Sequence, residues 1–292
     1  MIRSFEEVTK KAEELGPKRV VVLFPHEGDV ILSVFEGMRR GYITPLLIGD
    51  IERIRAKIEE YGLDLDNVQP IHEGDPQKGA DLCVEMVIEG EADFLIKGNI
   101  TTTYLYRSLI RANSRITPSL VPSTLCFHQI PSVDHIFVIT DPGVNIAPDL
   151  ETKVKVIKNA LEVLRRIGYR SPRVMILSGV RAIDGDLLSL RDARAIQEMA
   201  KKGLLGDCTV LDGHNFSDLV TCEFPDLLVV PQIEAGNILV KAIDHLAIGK
   251  RQCVTIGAGI VALTPSRSDG FEVRLLNIAL GVLIADSQKK RR

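Results

Sequence analysis

The chain of 292 residues lacks several features that would assign it to a class at once. No uninterrupted apolar run reaches about 18 residues, so the sequence predicts no membrane-spanning helix. The net charge is only −3, which gives no reason to expect nucleic acid or an anionic membrane as a partner. The first residues do not have the pattern of a secretory signal, and the five cysteines are scattered without a CxxC pair. We therefore expect a cytoplasmic protein with reduced, mostly buried thiols.

Three common binding motifs are also missing. There is no Gly-x-x-x-x-Gly-Lys-Ser/Thr loop for nucleoside phosphates. Gly257 and Gly259 lack the third glycine of a dinucleotide fingerprint, and the six histidines are too scattered to suggest a zinc cluster. We predict no bound metal and no bound cofactor.

Short apolar segments alternate with amphipathic segments along most of the chain. The segments Arg19–Phe24 and Phe94–Ile96 are typical of fully buried strands. Helical patterns of about 10–15 residues separate such segments. This alternation predicts an α/β fold with largely parallel sheets flanked by helices, and the length allows two lobes.

The most informative stretch lies near the C-terminus. The apolar run from Cys253 to Leu263 predicts one buried strand, and a mostly apolar helix is expected over 271–286. Pro265, Ser266 and Arg267 lie between them. A hydroxyl, a guanidinium and unpaired N–H groups at a helix N-terminus suit an anion such as phosphate. The alternative is a helix cap at Ser266 and a solvated Arg267.

Three other stretches combine glycine, hydroxyl and charged residues where predicted strands end. They are Lys97-Gly98 followed by Thr101, Thr102 and Arg107; the segment Thr140–Lys153 with Asp141, Asn145 and Pro148; and Ile233–Asn237 with Lys241. Together with the C-terminal stretch they resemble the phosphate acetyl/butyryl transferase family, especially its butyryltransferase branch. The resemblance runs from about residue 18 to residue 286, with the four stretches in the family's order.

The resemblance implies a fold that periodicity alone does not show. It is the two-domain fold related to isocitrate and isopropylmalate dehydrogenases, with the active site in the interdomain cleft. Residues 1–132 and 259–292 would form the first α/β domain, and residues 133–258 the second. A homodimer or a higher homo-oligomer is implied as well.

The implied reaction moves a short-chain acyl group, butyryl or similar, between coenzyme A and inorganic phosphate. Acyl-CoA and phosphate are then the partners, and coenzyme A is a substrate. Such a site needs a cationic cradle for phosphate, donors for the developing oxyanion and a base near the thiol. The candidate catalytic residues are Ser266, Arg267, Asp269 and Glu272. The candidate phosphate- and substrate-binding residues are Arg107, Arg115, Lys97, Thr102, Asp141, Asn145, Glu234 and Asn237.

Two departures from the family pattern keep other interpretations open. Val273 occupies the position of the acetyltransferase aspartate, seven residues after Ser266, which puts the base in doubt and favours a chain longer than acetyl. His214 and Asn215 replace the usual Pro-Leu after an Asp-Gly pair. One alternative is a family member that binds acyl-CoA or acyl phosphate without turnover. The other is a metal- and NAD-dependent dehydrogenase of the related fold.

Overall fold

The structure is a computed structural model that describes residues 2–64, 68, 70–179, 186–220 and 223–289. Its strands in chain order are β1 (Lys18–Leu23), β2 (Ile43–Gly49), β3 (Ile71–His72), β4 (Phe94–Lys97), β5 (Ser123–Gln129), β6 (Phe137–Thr140), β7 (Arg173–Ile176), β8 (Thr209–Val210), β9 (Leu227–Val229), β10 (Lys250–Gly257) and β11 (Ile260–Leu263). Its α-helices are α1 (Phe5–Leu15), α2 (Gly28–Arg39), α3 (Ile51–Glu60), α4 (Pro76–Ile88), α5 (Thr102–Ile116), α6 (Leu150–Arg166), α7 (Leu188–Lys201), α8 (Ile233–Leu246) and α9 (Phe271–Lys289). A 3-10 helix spans Phe216–Val220.

The chain divides into two compact units. The split unit contains residues 6–120 and 252–292, and the central unit contains residues 1–5 and 121–251. Each unit is an α/β structure with mostly parallel strands, as the alternating pattern predicts.

The split unit has the strand order β3-β2-β1-β4-β11-β10. Its neighbouring strands are parallel except for β10 and β11. The segment Val20–Leu23 of β1 has no solvent exposure, and α4 and α9 both pack on this strand. A run of β-branched residues fits this position because a parallel strand covered by helices needs apolar side chains on both faces.

The prediction of a single strand from Cys253 to Leu263 is wrong. The segment is an antiparallel hairpin of β10 and β11, turned at Ala258 and Gly259, whose φ angles are 52° and 75°. The apolar pattern hides this turn because Ala258 is buried and alanine rarely adopts a left-handed conformation. The hairpin leaves β11 parallel to β4.

The central unit has the strand order β5-β6-β9-β7-β8. Only β5 and β6 are antiparallel among the described strands of this unit. The paired strands β6 and β9 are fully buried, and α6 and α8 both pack against β6. The carboxyl end of β6 leads directly into the Asp141 segment.

The chain passes from one unit to the other after residues 5, 120 and 251. The predicted domain limits, after residues 132 and 258, lie further along the chain. The difference arises because β5 pairs with β6, and most of β10 belongs with β11. The placement of the active site in an interdomain cleft stays a prediction.

The cysteines are largely interior. Cys83, Cys126 and Cys253 are buried and Cys208 is partly buried, and no disulfide joins these four thiols. Burial raises the pKa of the Cys83 thiol well above its ordinary value. Cys222 lies outside the described residues. Among the helices of the described ranges, none combines the length and apolar character needed to cross a membrane.

Candidate active site

Two loops with polar residues follow neighbouring strands of the split unit. β4 and β11 lie side by side and run in the same direction, as β1 and β4 do. Their carboxyl ends therefore lie at one edge of the sheet, the edge where open α/β sheets bind ligands. The loop after β4 contains Gly98 and Thr101, and the loop after β11 contains Ser266 and Arg267. The fold thus brings the two sequence motifs of this unit together.

Gly98 allows two strand ends to approach closely. A Cβ atom at this position would lie 2.3 Å from the carbonyl oxygen of Phe24 and 2.5 Å from that of Leu23. The N–H of Gly98 donates to the carbonyl of Leu23 at 2.7 Å, and the N–H of Asn99 donates to that of Phe24 at 2.8 Å. These contacts fix where the chain leaves β4 and begins α5.

Lys97, the last residue of β4, is a buried cation. Only 3% of the residue is exposed. Its Nζ donates to the carbonyl oxygens of Gly98 at 3.2 Å and Ile100 at 3.4 Å. The ammonium is therefore held by the loop that leads into α5.

Other charges act on Lys97. Burial is the largest cause that lowers the pKa of Lys97 from 10.5 to about 8, and the positive charges of Arg274 and Arg267 lower it further. The carboxylates of Glu27 and Asp269 act in the opposite direction. A bound anion would favour the charged ammonium in the same way as these carboxylates.

Arg267 connects the two loops. Its guanidinium donates from Nη2 to the hydroxyl of Thr101 at 3.1 Å, while its side chain remains exposed. Thr101 precedes α5, and its side chain makes no capping hydrogen bond with that helix. A guanidinium beside uncapped N–H groups of a helix is an arrangement that favours a bound anion.

Ser266 begins a tight turn. Its N–H donates to Oδ2 of Asp269 at 2.7 Å, and the N–H of Asp269 donates back to the Ser266 carbonyl at 3.2 Å. The Ser266 hydroxyl lies 3.0 Å from the hydroxyl of Ser268, which cannot act as a general base. The geometry therefore suits Ser266 as a hydrogen-bond donor rather than as an activated nucleophile.

Arg274 is a residue of this region that the sequence motifs did not identify. It is the fourth residue of α9 and is only 4% exposed. Its Nε donates to the carbonyl of Asp269 at 2.8 Å, and its Nη2 to the carbonyl of Ser266 at 3.0 Å. The sequence signal that could have identified Arg274 is a single arginine within a mostly apolar helix.

The remaining predicted residues of the split unit lie at different distances from these loops. Thr102 is the first residue of α5, and Arg107 is exposed about 9 Å further along the same helix than Thr101. Glu272 is exposed in the first turn of α9. Arg115 lies about 20 Å beyond Thr102 and pairs with Glu85 of α4. The structure therefore does not bring Arg115 to the Ser266 loop.

Asp141 organises the loop after β6 in the central unit. It is 3% exposed, and its Oδ1 accepts N–H groups from Thr124 at 3.0 Å, Gly143 at 3.0 Å and Val144 at 3.1 Å. Burial raises the pKa of Asp141, although the hydrogen bonds it accepts act in the opposite direction. These contacts give this carboxylate a structural function.

The other predicted residues of the central unit surround this loop. Asn145 donates from its side chain to Asp141 at 2.6 Å, and its N–H donates to the same carboxylate oxygen, Oδ2, at 2.9 Å. A Cβ atom at Gly236 would lie 2.9 Å from Cα of Pro142, so glycine lets α8 pack on the loop. Glu234 and Asn237 are exposed at the start of α8. The structure therefore brings the four predicted residues of this unit, Asp141, Asn145, Glu234 and Asn237, into one region.

His214, which departs from the family pattern, is 2% exposed. Its backbone N–H donates to Asp218 and its carbonyl accepts the N–H of Ser178 at 2.7 Å. Burial lowers the pKa of the imidazole. In the described ranges, no three His, Cys, Asp or Glu side chains come together as a group that could hold a metal ion.

Known proteins with similar sequences share one kind of activity. A sequence model described as phosphate acetyl/butaryl transferase matches residues 75–252, more than half of the chain. Phosphate butyryltransferase of Clostridium acetobutylicum is 26% identical over 302 residues, covering 99% of this chain and 100% of the relative. Phosphate acetyltransferase of Thermotoga maritima is 29% identical over 294 residues, covering 96% of this chain and 99% of the relative.

Solved structures show the same fold. A phosphotransacetylase from Streptococcus pyogenes aligns with a TM-score of 0.80 and 17% identity, covering 99% of this chain and 100% of the other. A protein from Salmonella typhimurium described as a 4-hydroxythreonine-4-phosphate dehydrogenase aligns with a TM-score of 0.59 and 11% identity, covering 92% and 99%. The second similarity fits the predicted relation to dehydrogenase folds, and at these identities both similarities concern the fold alone.

Proposed function

Because the chain belongs to the phosphate acetyl/butyryl transferase family and is a phosphate acyltransferase, we propose the reaction that it catalyses. It exchanges a short-chain acyl group between coenzyme A and inorganic phosphate at the Ser266–Arg267 loop. In one direction, a phosphate oxygen attacks the thioester carbonyl, the C–S bond breaks, and the departing coenzyme A thiolate takes a proton. The products are an acyl phosphate and free coenzyme A.

The observation that carries this proposal is the hydrogen bond from Arg267 to Thr101. This bond joins two loops whose residues are 166 positions apart in the sequence. It places a guanidinium at the N-terminus of α5, beside buried Lys97. Phosphate would be held by Arg267, by the N–H groups at Thr102 and by the positive end of the helix dipole. Arg107, further along α5, is the second arginine proposed for phosphate. Arg115 stays a prediction from the resemblance, without support from its position.

Ser266 and two carboxylates have separate proposed functions. The hydroxyl of Ser266 donates to the carbonyl oxygen of the acyl group and stabilises the charge that develops there. Asp269 holds the Ser266 N–H and so shapes the loop. Glu272 is exposed in the first turn of α9, and we assign proton transfer with the coenzyme A thiol to it.

The acyl chain is proposed to be butyryl or similar. The support is Val273, which replaces the acetyltransferase aspartate, together with Asp269 and Glu272, which lie three and six residues after Ser266 as in the butyryl branch that the sequence resembles. We further propose that the central-unit residues Asp141, Asn145, Glu234 and Asn237 contact or shape the substrate site. A homodimer or a higher homo-oligomer is proposed on the resemblance alone, and a cytoplasmic location on the scattered cysteines.

The function is tested by phosphate-dependent release of free thiol from acyl-CoAs of two to five carbons. We expect turnover by the natural protein, with a higher kcat/KM for butyryl-CoA than for acetyl-CoA. Arg267→Ala should remove at least about 2–3 kcal/mol of transition-state stabilisation, a loss of about 30- to 150-fold in kcat/KM, because a charge-assisted partner of phosphate is lost. Ser266→Ala should lower kcat.

Arg55→Ala is the matched control, since Arg55 is an exposed arginine of α3 in the same unit. Its kcat/KM should equal that of the natural protein. Absence of thiol release with every acyl-CoA, together with tight binding of the thioester, would instead indicate a binding protein without turnover. An unchanged rate for Arg267→Ala would remove this residue from the site.

A further inference from the structure

Arg274 is a buried charge that the proposed reaction does not use directly. It lies in the first turn of α9, among mostly apolar residues, with 4% of its surface exposed. Burying an ionised group costs several kcal/mol unless its surroundings compensate. Burial accordingly lowers the pKa of Arg274, although the carboxylates of Asp269, Glu27 and Asp29 oppose that shift.

Within the described residues, the side-chain hydrogen bonds of Arg274 go to one short turn, Ser266–Asp269. Nε donates to the carbonyl of Asp269 and Nη2 to the carbonyl of Ser266. The Arg274 N–H donates to the carbonyl of Gly270 at 3.1 Å. The guanidinium thus holds both ends of the turn Ser266–Asp269, and Arg267 lies between those ends.

The planar shape of the guanidinium matters here. Two N–H groups in a fixed fork meet two carbonyl oxygens three residues apart, which a single ammonium point charge cannot reproduce with the same geometry. The third nitrogen, Nη1, is buried and has no hydrogen-bond partner in the part of the chain that the structure describes. A buried cation that leaves one nitrogen unpaired is more than a packing element, because an apolar side chain would avoid this cost.

We propose that Arg274 is a positioning residue, whose guanidinium fixes the Ser266–Asp269 turn so that the Ser266 hydroxyl and the Arg267 guanidinium keep a set orientation toward the N-terminus of α5. The inference rests on the proposed function. Arg274 does not touch the reacting atoms; it acts through Ser266 and Arg267. Loss of the fork would let the turn move, and displacements of about 1 Å at a reacting group can lower a rate by about 100-fold.

The experiment combines kinetics with hydrogen exchange on the full-length protein. In Arg274→Gln, we expect kcat/KM to fall about 10- to 100-fold, and the amides of Ser266 and Asp269 to exchange at least about tenfold faster. Arg274→Lys keeps the charge but loses the fork, so it should restore only part of the activity. Arg166→Gln of the central unit is the control, because Arg166 is also a largely buried arginine, and its Nη1 has no hydrogen-bond partner among the described residues. It should lower stability without changing kcat/KM.

A double-mutant cycle separates positioning from general stability. If Arg274 acts through the turn, Arg274→Gln should cost much less activity in the Ser266→Ala background than in the natural protein. Fully additive losses, or unchanged exchange at the Ser266 and Asp269 amides, would overturn the inference. If the natural protein releases no thiol, the proposed function fails. The exchange measurement still decides whether Arg274 holds the turn.

Discussion

The three cations around the Ser266 loop differ in burial, and this difference separates their functions. Arg267 is exposed and so is able to meet a ligand, whereas Lys97 and Arg274 are buried and bound to backbone carbonyls. A positive charge inside the protein raises the affinity of the site for an anion without adding a flexible contact. When no anion is bound, the same buried charge lowers the free energy of unfolding.

The pH dependence of stability measures this loss of unfolding free energy for Lys97. The unfolded chain holds the Lys97 proton up to about pH 10.5, but the folded protein holds it only to about pH 8. Below pH 8 the buried charge therefore lowers the free energy of unfolding by its full amount. Stability recovers as the pH rises between the two pKa values, because the unfolded state then binds more protons. We expect the unfolding free energy of the natural protein, relative to Lys97→Met, to rise by about 2–3 kcal/mol between pH 7 and pH 10.

Urea denaturation at both pH values measures this difference. Lys78→Met, which removes an exposed lysine of the same unit, is the control and should show no such dependence. A pH-independent difference for Lys97→Met would mean that Lys97 is not a strained buried cation.

Sequence patterns identified the residues at strand ends better than those within helices. Ser266, Arg267 and Thr102 follow strands and Lys97 ends β4, positions where polar residues are conspicuous. Arg274 was missed because it belongs to a helix, and the apolar pattern does not tell which way one charged side chain points. Arg115 is separated from the Ser266 loop by most of the length of α5, because this helix continues to Ile116.

Among the structural elements, the close contact between the carboxyl ends of β1 and β4 at Gly98 fixes where α5 begins. Gly98→Ala should lower the free energy of unfolding by at least about 3 kcal/mol, because its Cβ would lie 2.3 Å from a backbone oxygen that cannot move aside. Any protein that still folds should also lose activity, since Lys97 and Thr101 would shift. Thermal and urea unfolding measure the effect.

Gly74→Ala is the matched control, because a Cβ at Gly74 meets no atom within 4 Å. Its stability should be close to that of the natural protein or slightly higher. Equal stabilities for the two variants would show that β1 and β4 do not approach as closely as described.

Element types were predicted well where a segment was long and regular. The predicted helix over 271–286 corresponds to α9, which begins at Phe271 as expected. The hairpin of β10 and β11 was missed because its turn uses a buried Ala258 instead of the Asn-Gly or Asp-Gly signal of a tight turn. The composition of this segment therefore does not predict the turn between β10 and β11.

For the whole molecule, alternation of helices and strands predicted the fold class but not the order of strands. Parallel pairing follows from long helical connections, whereas the antiparallel pairs β5–β6 and β10–β11 depend on contacts that alternation does not specify. The family resemblance alone predicted that C-terminal residues join the first part of the chain, as residues 259–292 with residues 1–132. The structure groups residues 252–292 with residues 6–120. Acyl chain length is a finer property of the substrate pocket, and relatives with acetyl and butyryl names are similarly distant.

The central claim is that Arg267 and the N-terminus of α5 bind the phosphate that takes part in acyl transfer. The most direct test is a crystal structure of the active protein with inorganic phosphate. The account predicts phosphate oxygens within hydrogen-bond distance of the Arg267 guanidinium and of the N–H groups at Thr102 and Thr103, with the Ser266 hydroxyl beside them. Phosphate bound elsewhere in a catalytically active crystal, with Arg267 directed into solvent, would contradict it.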